Sequence, residues 1–242
     1  QVGGYDRTAT AITQTLSSLG AEIHYQDSFN MVPEVFKAAS KTLVVYTPAI
    51  PASHQELNAF QVQDFTILKR SHVLGMIANQ GYCMAVAGTH GKTTTSAILA
   101  HLLKECGIKV TAFLGGILEN TNSNLVLEGN DVMVVEADES DSTFLELSST
   151  VSVVTNIDKE HLDHYKSFSN LRKSFLKFIT QVPFYGCAIV CNDDKHVKKL
   201  ISKITTTKII KYGFNSDNDI RAINIRFKDN KTNFDLSIKE ES

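Results

Sequence analysis

The sequence predicts an α/β fold built on a mostly parallel sheet, and three observations carry that expectation. Short apolar runs at residues 82–87, 109–114, 131–137, 151–157 and 188–191 have the length and composition of buried strands. Helical patterns fill the intervals after the first of these runs and at residues 168–180 and 195–204. Between strand 82–87 and the helix that follows lies Gly88-Thr89-His90-Gly91-Lys92-Thr93-Thr94, a glycine-containing loop leading into a helix N-terminus, where an α/β protein holds phosphate.

Taken in order, residues 8–19 read as a helix stopped by Gly20, and 22–25, 42–47 and 65–68 as strands. Helical stretches are expected at 33–40, 53–62 and 72–79. Residues 1–80 thus read as a partial Rossmann-like domain. It lacks an opening strand and a Gly-rich first turn, and Gly3-Gly4-Tyr5-Asp6 reads as the end of a second strand. Residues 81–242 read as a central P-loop-type domain with a mostly parallel sheet. From about residue 207 the segments 208–214, 220–227 and 233–238 alternate apolar and polar residues, with Asp229-Asn230-Lys231 as a turn. They predict a small antiparallel β appendage with one wet face.

Composition narrows the function. The chain has 242 residues, 43% apolar and 21% charged, with a formal net charge of −2, ordinary values for a globular protein. No basic stripe argues for nucleic acid, and no apolar run approaches the ~20 residues of a membrane span. Cys83, Cys106, Cys187 and Cys191 form no C-x-x-C pair and are expected as buried free thiols, which fits a reducing cytoplasm.

Three clusters carry chemistry. In the loop, glycines let backbone N–H groups approach phosphate oxygens, Lys92 can neutralise terminal phosphates, and the Thr93 hydroxyl can hold Mg²⁺. The spacing departs from G-x-x-x-x-G-K-[ST], which would put glycine at position 86, where this chain has Val86. Ile98, Leu99, Leu102, Leu103 and Cys106 then recur at helical spacing, and Gly107 stands where a terminating glycine belongs. Glu136, closing an apolar strand in Glu136-Ala137-Asp138-Glu139-Ser140-Asp141, is a candidate metal ligand. Strand alternation would set Asp138 beside Glu136, while Glu139 and Asp141 are expected on an acidic surface loop. The third cluster, Thr155-Asn156-Ile157-Asp158-Lys159-Glu160-His161-Leu162-Asp163-His164-Tyr165, also follows an apolar strand. It brings His161, Asp158 and Asp163 to the edge that carries Lys92 and Glu136, with His164 expected as a solvated loop residue. For His90, contact with a ligand and simple tolerance of the loop's backbone geometry are equally open.

Together these clusters resemble the Mur ligases, the ATP-dependent amino-acid ligases of peptidoglycan precursor synthesis, whose phosphate loop reads like Gly88 to Thr93. Across essentially the whole chain, Glu136 to Asp141, Val153-Val154-Thr155-Asn156-Ile157, His161-Leu162-Asp163 and Pro183-Phe184-Tyr185-Gly186 look like the branch that joins L-alanine to UDP-N-acetylmuramate. Ser140 and Leu162 set it apart from the murein-tripeptide recycling branch, the nearest alternative. The resemblance implies that ATP and Mg²⁺ are bound, with Gly88, Thr89, His90, Gly91, Lys92, Thr93 and Thr94 around the nucleotide and Lys92 on the γ-phosphate. Thr93 and Glu136 would share one Mg²⁺ and His161 would bind a second. Asp6-Arg7-Thr8 would contact the uridine of the substrate; otherwise Asp6 is a plain helix N-cap. Some relatives use a carbamylated lysine after the histidine motif; the best match here is Phe175, and the alanine-adding branch also lacks that lysine.

The resemblance also implies a Gly-rich turn before Gln1, and an adenine-holding His-Asn-x-x-Asn motif and third domain after Ser242. The chain is therefore expected to be a fragment that cannot turn over by itself. A nucleotide-gated switch and a non-catalytic UDP-sugar-binding module are readings of a different class. Against a GTPase switch, no Asn-Lys-x-Asp segment occurs.

Overall fold

The computed structural model describes residues 1–118, 123–140 and 142–239. They form two compact units, Gln1–Val73 and Leu74–Ser242. The first contains strand β1 (Gly3–Tyr5), helix α1 (Ala11–Ser18), β2 (Glu22–His24), β3 (Leu43–Tyr46), α2 (Gln55–Val62) and β4 (Thr66–Lys69). Strand β1 pairs in parallel with β2, and β3 in parallel with β4. Helix α1 starts at Ala11 rather than residue 8, because Thr10 and Thr13 close a reciprocal capping box there. Asp6 is not the cap; its carboxylate accepts the Thr8 N–H (3.0 Å) in a turn ahead of the helix. The helix expected at 33–40 is replaced by short 3₁₀ turns, Glu34–Phe36 and Ala39–Lys41, following a third at Phe29–Met31. Pro33, with no N–H to donate and an extended ψ of 144°, separates the first turn from the second, and the extended Ala38 (φ −95°, ψ 103°) separates the second from the third. Val32, Phe60 and Phe65 form the core of this unit, with Phe29 and Phe65 edge-on to Phe60 at 5.3 and 4.8 Å between ring centres.

Helix α3 (Arg70–Ala78) leads into the second unit: β5 (Cys83–Ala87), α4 (Lys92–Glu105), β6 (Val110–Leu118), β7 (Ser123–Leu127), β8 (Val132–Glu136) and β9 (Val151–Val154). Then come α5 (Leu162–Tyr165), α6 (Phe168–Thr180), β10 (Cys187–Cys191), α7 (Lys195–Ile201), β11 (Ile209–Gly213), β12 (Ile220–Lys228) and β13 (Lys231–Ile238). All nine strands join one sheet in the order β13-β12-β11-β10-β9-β5-β8-β6-β7. Only β6–β7 and β12–β13 pair antiparallel. The segment expected to open a separate antiparallel sheet, near 208–214, is instead parallel both to β10 and to β12 and continues the main sheet. Its alternation reports a half-buried strand, which parallel pairing near a sheet edge also produces. The hairpin beyond it turns on Asp229 and Asn230, both at positive φ (51° and 57°), the two-residue geometry that Asn and Asp favour. Its outer strand is exposed on both faces rather than one. Strand β7 is not expected from the sequence; it is a short edge strand with Leu127 70% exposed, too weakly patterned to stand out.

Strand β5 lies between β8 and β9, and side chains alternate across it. Cys83, Ala85 and Ala87 face a core that includes Phe144, Phe175, Phe178 and Leu171, while Val86 packs on the other face with Val151 and Val153. Phe175, the position weighed for a modified lysine, is fully buried there. Helix α4 lies close to the sheet through Ser96 and Ala100, supported by Leu99 and Leu103. That small-residue contact turns Ile98 and Leu102 to solvent, each 55% exposed, contrary to the simple helical pattern. The helix ends as its glycine predicts. Gly107 adopts φ +79°, its N–H bonds Lys104 O, and the Ile108 N–H bonds Leu103 O. All four cysteines are free thiols, but only Cys83 is fully buried, and burial pushes its pKa up to about 12; Cys106 is exposed at the helix end.

A proton is held in the first unit. His24 Nδ1 lies 3.1 Å from the Gln26 carbonyl, which can only accept, so that nitrogen carries hydrogen. Its Nε2 lies 3.2 Å from Glu56 Oε2, and a neutral imidazole would present a bare lone pair there. Burial, reinforced by the charge of Asp27, raises Glu56 from 4.5 to about 7, so its carboxyl keeps a proton well above the ordinary range. The raised folded value means stabilisation is complete below the unfolded value near 4.5 and is lost as pH rises through about 7. Urea unfolding should show stability falling across that window in the wild type, and Glu56→Gln, whose amide supplies its own hydrogen, should flatten the slope. An unchanged slope would remove the raised Glu56 carboxyl from the account.

Candidate functional site

The C-terminal ends of β5, β8 and β9 converge, and the loops leaving them build the site. Gly88, just past β5, has φ +141°, and a Cβ on it would lie 2.0 Å from Thr155 Oγ1. Only glycine lets the loop come this close to the end of β9. Five hydrogen bonds then strap the loop down. Asn156 accepts the Thr89 N–H through its backbone carbonyl (3.2 Å). Its side chain accepts the His90 N–H through Oδ1 (2.9 Å) and donates back to the His90 carbonyl from Nδ2 (2.9 Å). Thr155 Oγ1 donates to the same carbonyl (2.7 Å), and the Asp158 N–H donates to Thr89 Oγ1 (2.8 Å). With the N–H groups of Thr89 and His90 engaged, the donors left for an anion include those of Lys92, Thr93 and Thr94. They form the first turn of α4, where an α-helix has no internal acceptor. Gly91 caps that turn in a left-handed conformation, φ 79°. The His90 ring is exposed and lies 3.9 Å from Asp158 Oδ2 and 4.0 Å from Glu160 Oε1.

Each of the first two residues of α4 meets an acid from the end of β8. Thr93 Oγ1 donates to Glu136 Oε1 (3.0 Å), whose other oxygen accepts the Gly115 N–H (2.8 Å). Lys92 Nζ donates to the Gly88 carbonyl (2.8 Å) and lies 2.9 Å from Glu139 Oε2 and 3.1 Å from Oε1. Glu139, expected on a surface loop, is 1% exposed. Its carboxylate also faces His161 Nε2 at 3.7 Å, and its backbone carbonyl accepts the Tyr165 hydroxyl. Burial pushes the Tyr165 phenol above its ordinary pKa, so it stays a neutral donor. The burial of Glu139 has a clear cause. Strand β8 stops at Glu136, so Asp138 does not share its direction but lies exposed, capping the Ser140 N–H (3.0 Å). The inward positions are Ala137 and Glu139, a lysine's buried counter-charge that the alternation around Ala137 could have revealed.

The structure thus gathers Gly88, Thr89, Gly91, Lys92, Thr93, Glu136 and His161 at one sheet edge, with Thr94 exposed on the first turn of α4. His161 has φ +54°, an uncommon conformation that heads α5. Asp163 points elsewhere: its carbonyl accepts from Lys166, and its side chain is exposed. His164 is exposed but not free, since its Nε2 lies 3.0 Å from Ser142 Oγ. Asp141 lies outside the described residues. Asp6, Arg7 and Thr8 follow β1 in the other unit, with Arg7 and Thr8 exposed. Among the described residues no three His, Cys, Asp or Glu side chains converge as a metal cage. The oxygen pair of Thr93 and Glu136 nonetheless suits Mg²⁺, which takes one or two protein oxygens and completes its shell with water and phosphate. Among the described residues no helix is long and apolar enough to cross a membrane.

Residues 1–82 match the Mur ligase family catalytic domain and residues 86–242 the Mur ligase middle domain. The UDP-N-acetylmuramate–L-alanine ligase of Christiangramia forsetii is 44% identical over 242 residues, covering 100% of this chain and 51% of the relative. The chain spans about half the length of the curated relatives it matches. The crystal structure of a UDP-N-acetylmuramate–alanine ligase from Thermotoga maritima superposes with a TM-score of 0.76 at 27% identity, covering 91% of this chain and 48% of that one. At 20% identity, a Neisseria UDP-N-acetylmuramate:L-alanyl-γ-D-glutamyl-meso-diaminopimelate ligase shares the fold with a TM-score of 0.83 over 98% of this chain and 76% of that one. From the strand-to-helix phosphate loop through the paired acids to both domain matches, the chain belongs to the Mur ligase family.

Proposed function

We propose that this chain supplies the ATP-binding and UDP-substrate-binding portions of a ligase that joins L-alanine to UDP-N-acetylmuramate. One observation carries the reading: Lys92 and Thr93, at the head of α4, each meet an acid from the end of the neighbouring strand β8. That is a phosphate-and-metal arrangement, and the 44% identity to an L-alanine ligase supports the choice of acceptor. Ser140 and Leu162 favour the same branch over tripeptide recycling.

In this reading the free N–H groups of Lys92, Thr93 and Thr94 hold the terminal phosphates, and the Lys92 ammonium neutralises charge as the γ-phosphoryl group moves. The lactyl carboxylate of UDP-N-acetylmuramate takes that group from ATP. The amine of L-alanine then attacks the acyl phosphate, and the tetrahedral adduct expels phosphate. Thr93 and Glu136 would hold one Mg²⁺ and His161 a second; such ions supply positive charge to phosphate and carboxylate oxygens. Thr155 and Asn156 keep the loop from shifting during transfer. Asp6, Arg7 and Thr8 would meet the uridine. The free thiols suit a cytoplasmic setting.

Calorimetry with Mg-ATP should give saturable binding to the chain, and Lys92→Ala should weaken it by about tenfold or more. Equal binding by the variant would remove Lys92 from the site. Incubation with UDP-N-acetylmuramate, Mg-ATP and L-alanine tests the second part of the proposal. Because the relatives are about twice as long, the expected outcome is nucleotide binding without amide product. Robust product from the isolated chain would show that nothing further is needed.

A further inference from the structure

Glu139 has no role in the reaction outlined above, yet it is the most deeply buried acid in the site. Its carboxylate is enclosed, the charge is met by Lys92 Nζ (2.9 and 3.1 Å), and His161 Nε2 lies 3.7 Å away on another side. Tyr165 anchors its backbone carbonyl, so the side chain leaves a fixed point. Lys92 is correspondingly committed. Its ammonium lies on the Gly88 carbonyl at 2.8 Å and against Glu139, tucked beneath the loop whose open side carries the α4 N–H groups. An ammonium paired in this way presents no net charge to an incoming phosphate.

We propose that Glu139 is a positioning residue for the phosphate-binding lysine, holding Lys92 against the Gly88 carbonyl until a nucleotide phosphate takes the ammonium from it. The released carboxylate faces the His161 ring, whose Nε2 lies 3.7 Å away. Glu139 therefore links the nucleotide end of the site to the histidine end, and the exchange needs only the rotation of a lysine side chain. The exchange sets the direction of the effect. Phosphate binding must displace a buried ion pair, so Glu139 opposes nucleotide affinity while it fixes where Lys92 starts. This inference rests on the nucleotide-site reading and acts on the nucleotide through Lys92.

The test is Mg-ATP affinity, measured by calorimetry on the 242-residue chain with a melting curve for each variant. Glu139→Gln keeps the shape and removes the charge, and should bind Mg-ATP about five- to tenfold more tightly than wild type. Glu139→Asp restores the charge and should return the affinity to within about twofold of wild type. In the Lys92→Ala background, Glu139→Gln should give no tightening, because the effect passes through the ammonium. A residue that merely supported the fold would lower the melting temperature and weaken binding or leave it alone. Folded Glu139→Gln with unchanged or weaker affinity, beside a wild type that binds, overturns this proposal alone. A wild type with no saturable binding overturns the nucleotide reading and this proposal with it.

Discussion

The close approach of Gly88 to Thr155 is the constraint on which the rest of the site depends. Strands β5 and β9 are hydrogen-bonded neighbours, so the chain leaving β5 must pass over the end of β9 at a separation that excludes any Cβ. Once it does, Thr155 and Asn156 can reach the His90 backbone, and the loop becomes a rigid extension of the sheet. The N–H groups of Thr89 and His90 are thereby engaged within the protein. The first turn of α4, with no internal acceptor for its N–H groups, is left open to an anion.

Strand β8, on the other side of β5, provides the second half of the arrangement. It ends with Glu136, level with Thr93, and the chain then turns so that Glu139 re-enters beneath Lys92. Two adjacent residues of one helix turn are thus matched to two acids three positions apart on one neighbouring segment. The arrangement separates two kinds of chemistry. An oxygen pair at Thr93–Glu136 suits a hard cation, and a charge pair at Lys92–Glu139 suits exchange with phosphate. His161, held at positive φ at the head of α5, sits on the far side of the charge pair.

Much of this was legible in the sequence, for local reasons. The loop, its strand and its helix are contiguous, so glycine placement, Lys92, Thr93 and the terminating Gly107 declare themselves without tertiary knowledge. Glu136 and His161 were readable because each follows an apolar strand closely. Features that depend on other segments were hidden. Glu139 looked like one acid in an acidic run, since its burial follows from where β8 ends and from Lys92, 47 residues away. Asn156 stands in the sequence as one residue of a motif that follows a strand, but its side chain bonds a loop 66 residues earlier. The outward turn of Ile98 and Leu102 follows from how closely Ala100 lets α4 approach the sheet, which periodicity does not encode. The parallel pairing of β11 was concealed because alternation records half-burial and is silent on strand direction.

The most direct test of the central claim is a crystal structure of the chain with Mg²⁺ and a non-hydrolysable ATP analogue. The account predicts the phosphates at the first turn of α4, the ion on Thr93 and Glu136, and the Lys92 ammonium moved from Glu139 to the γ-phosphate. An analogue bound away from that turn, or Lys92 still paired with Glu139 beneath an occupied loop, would contradict it.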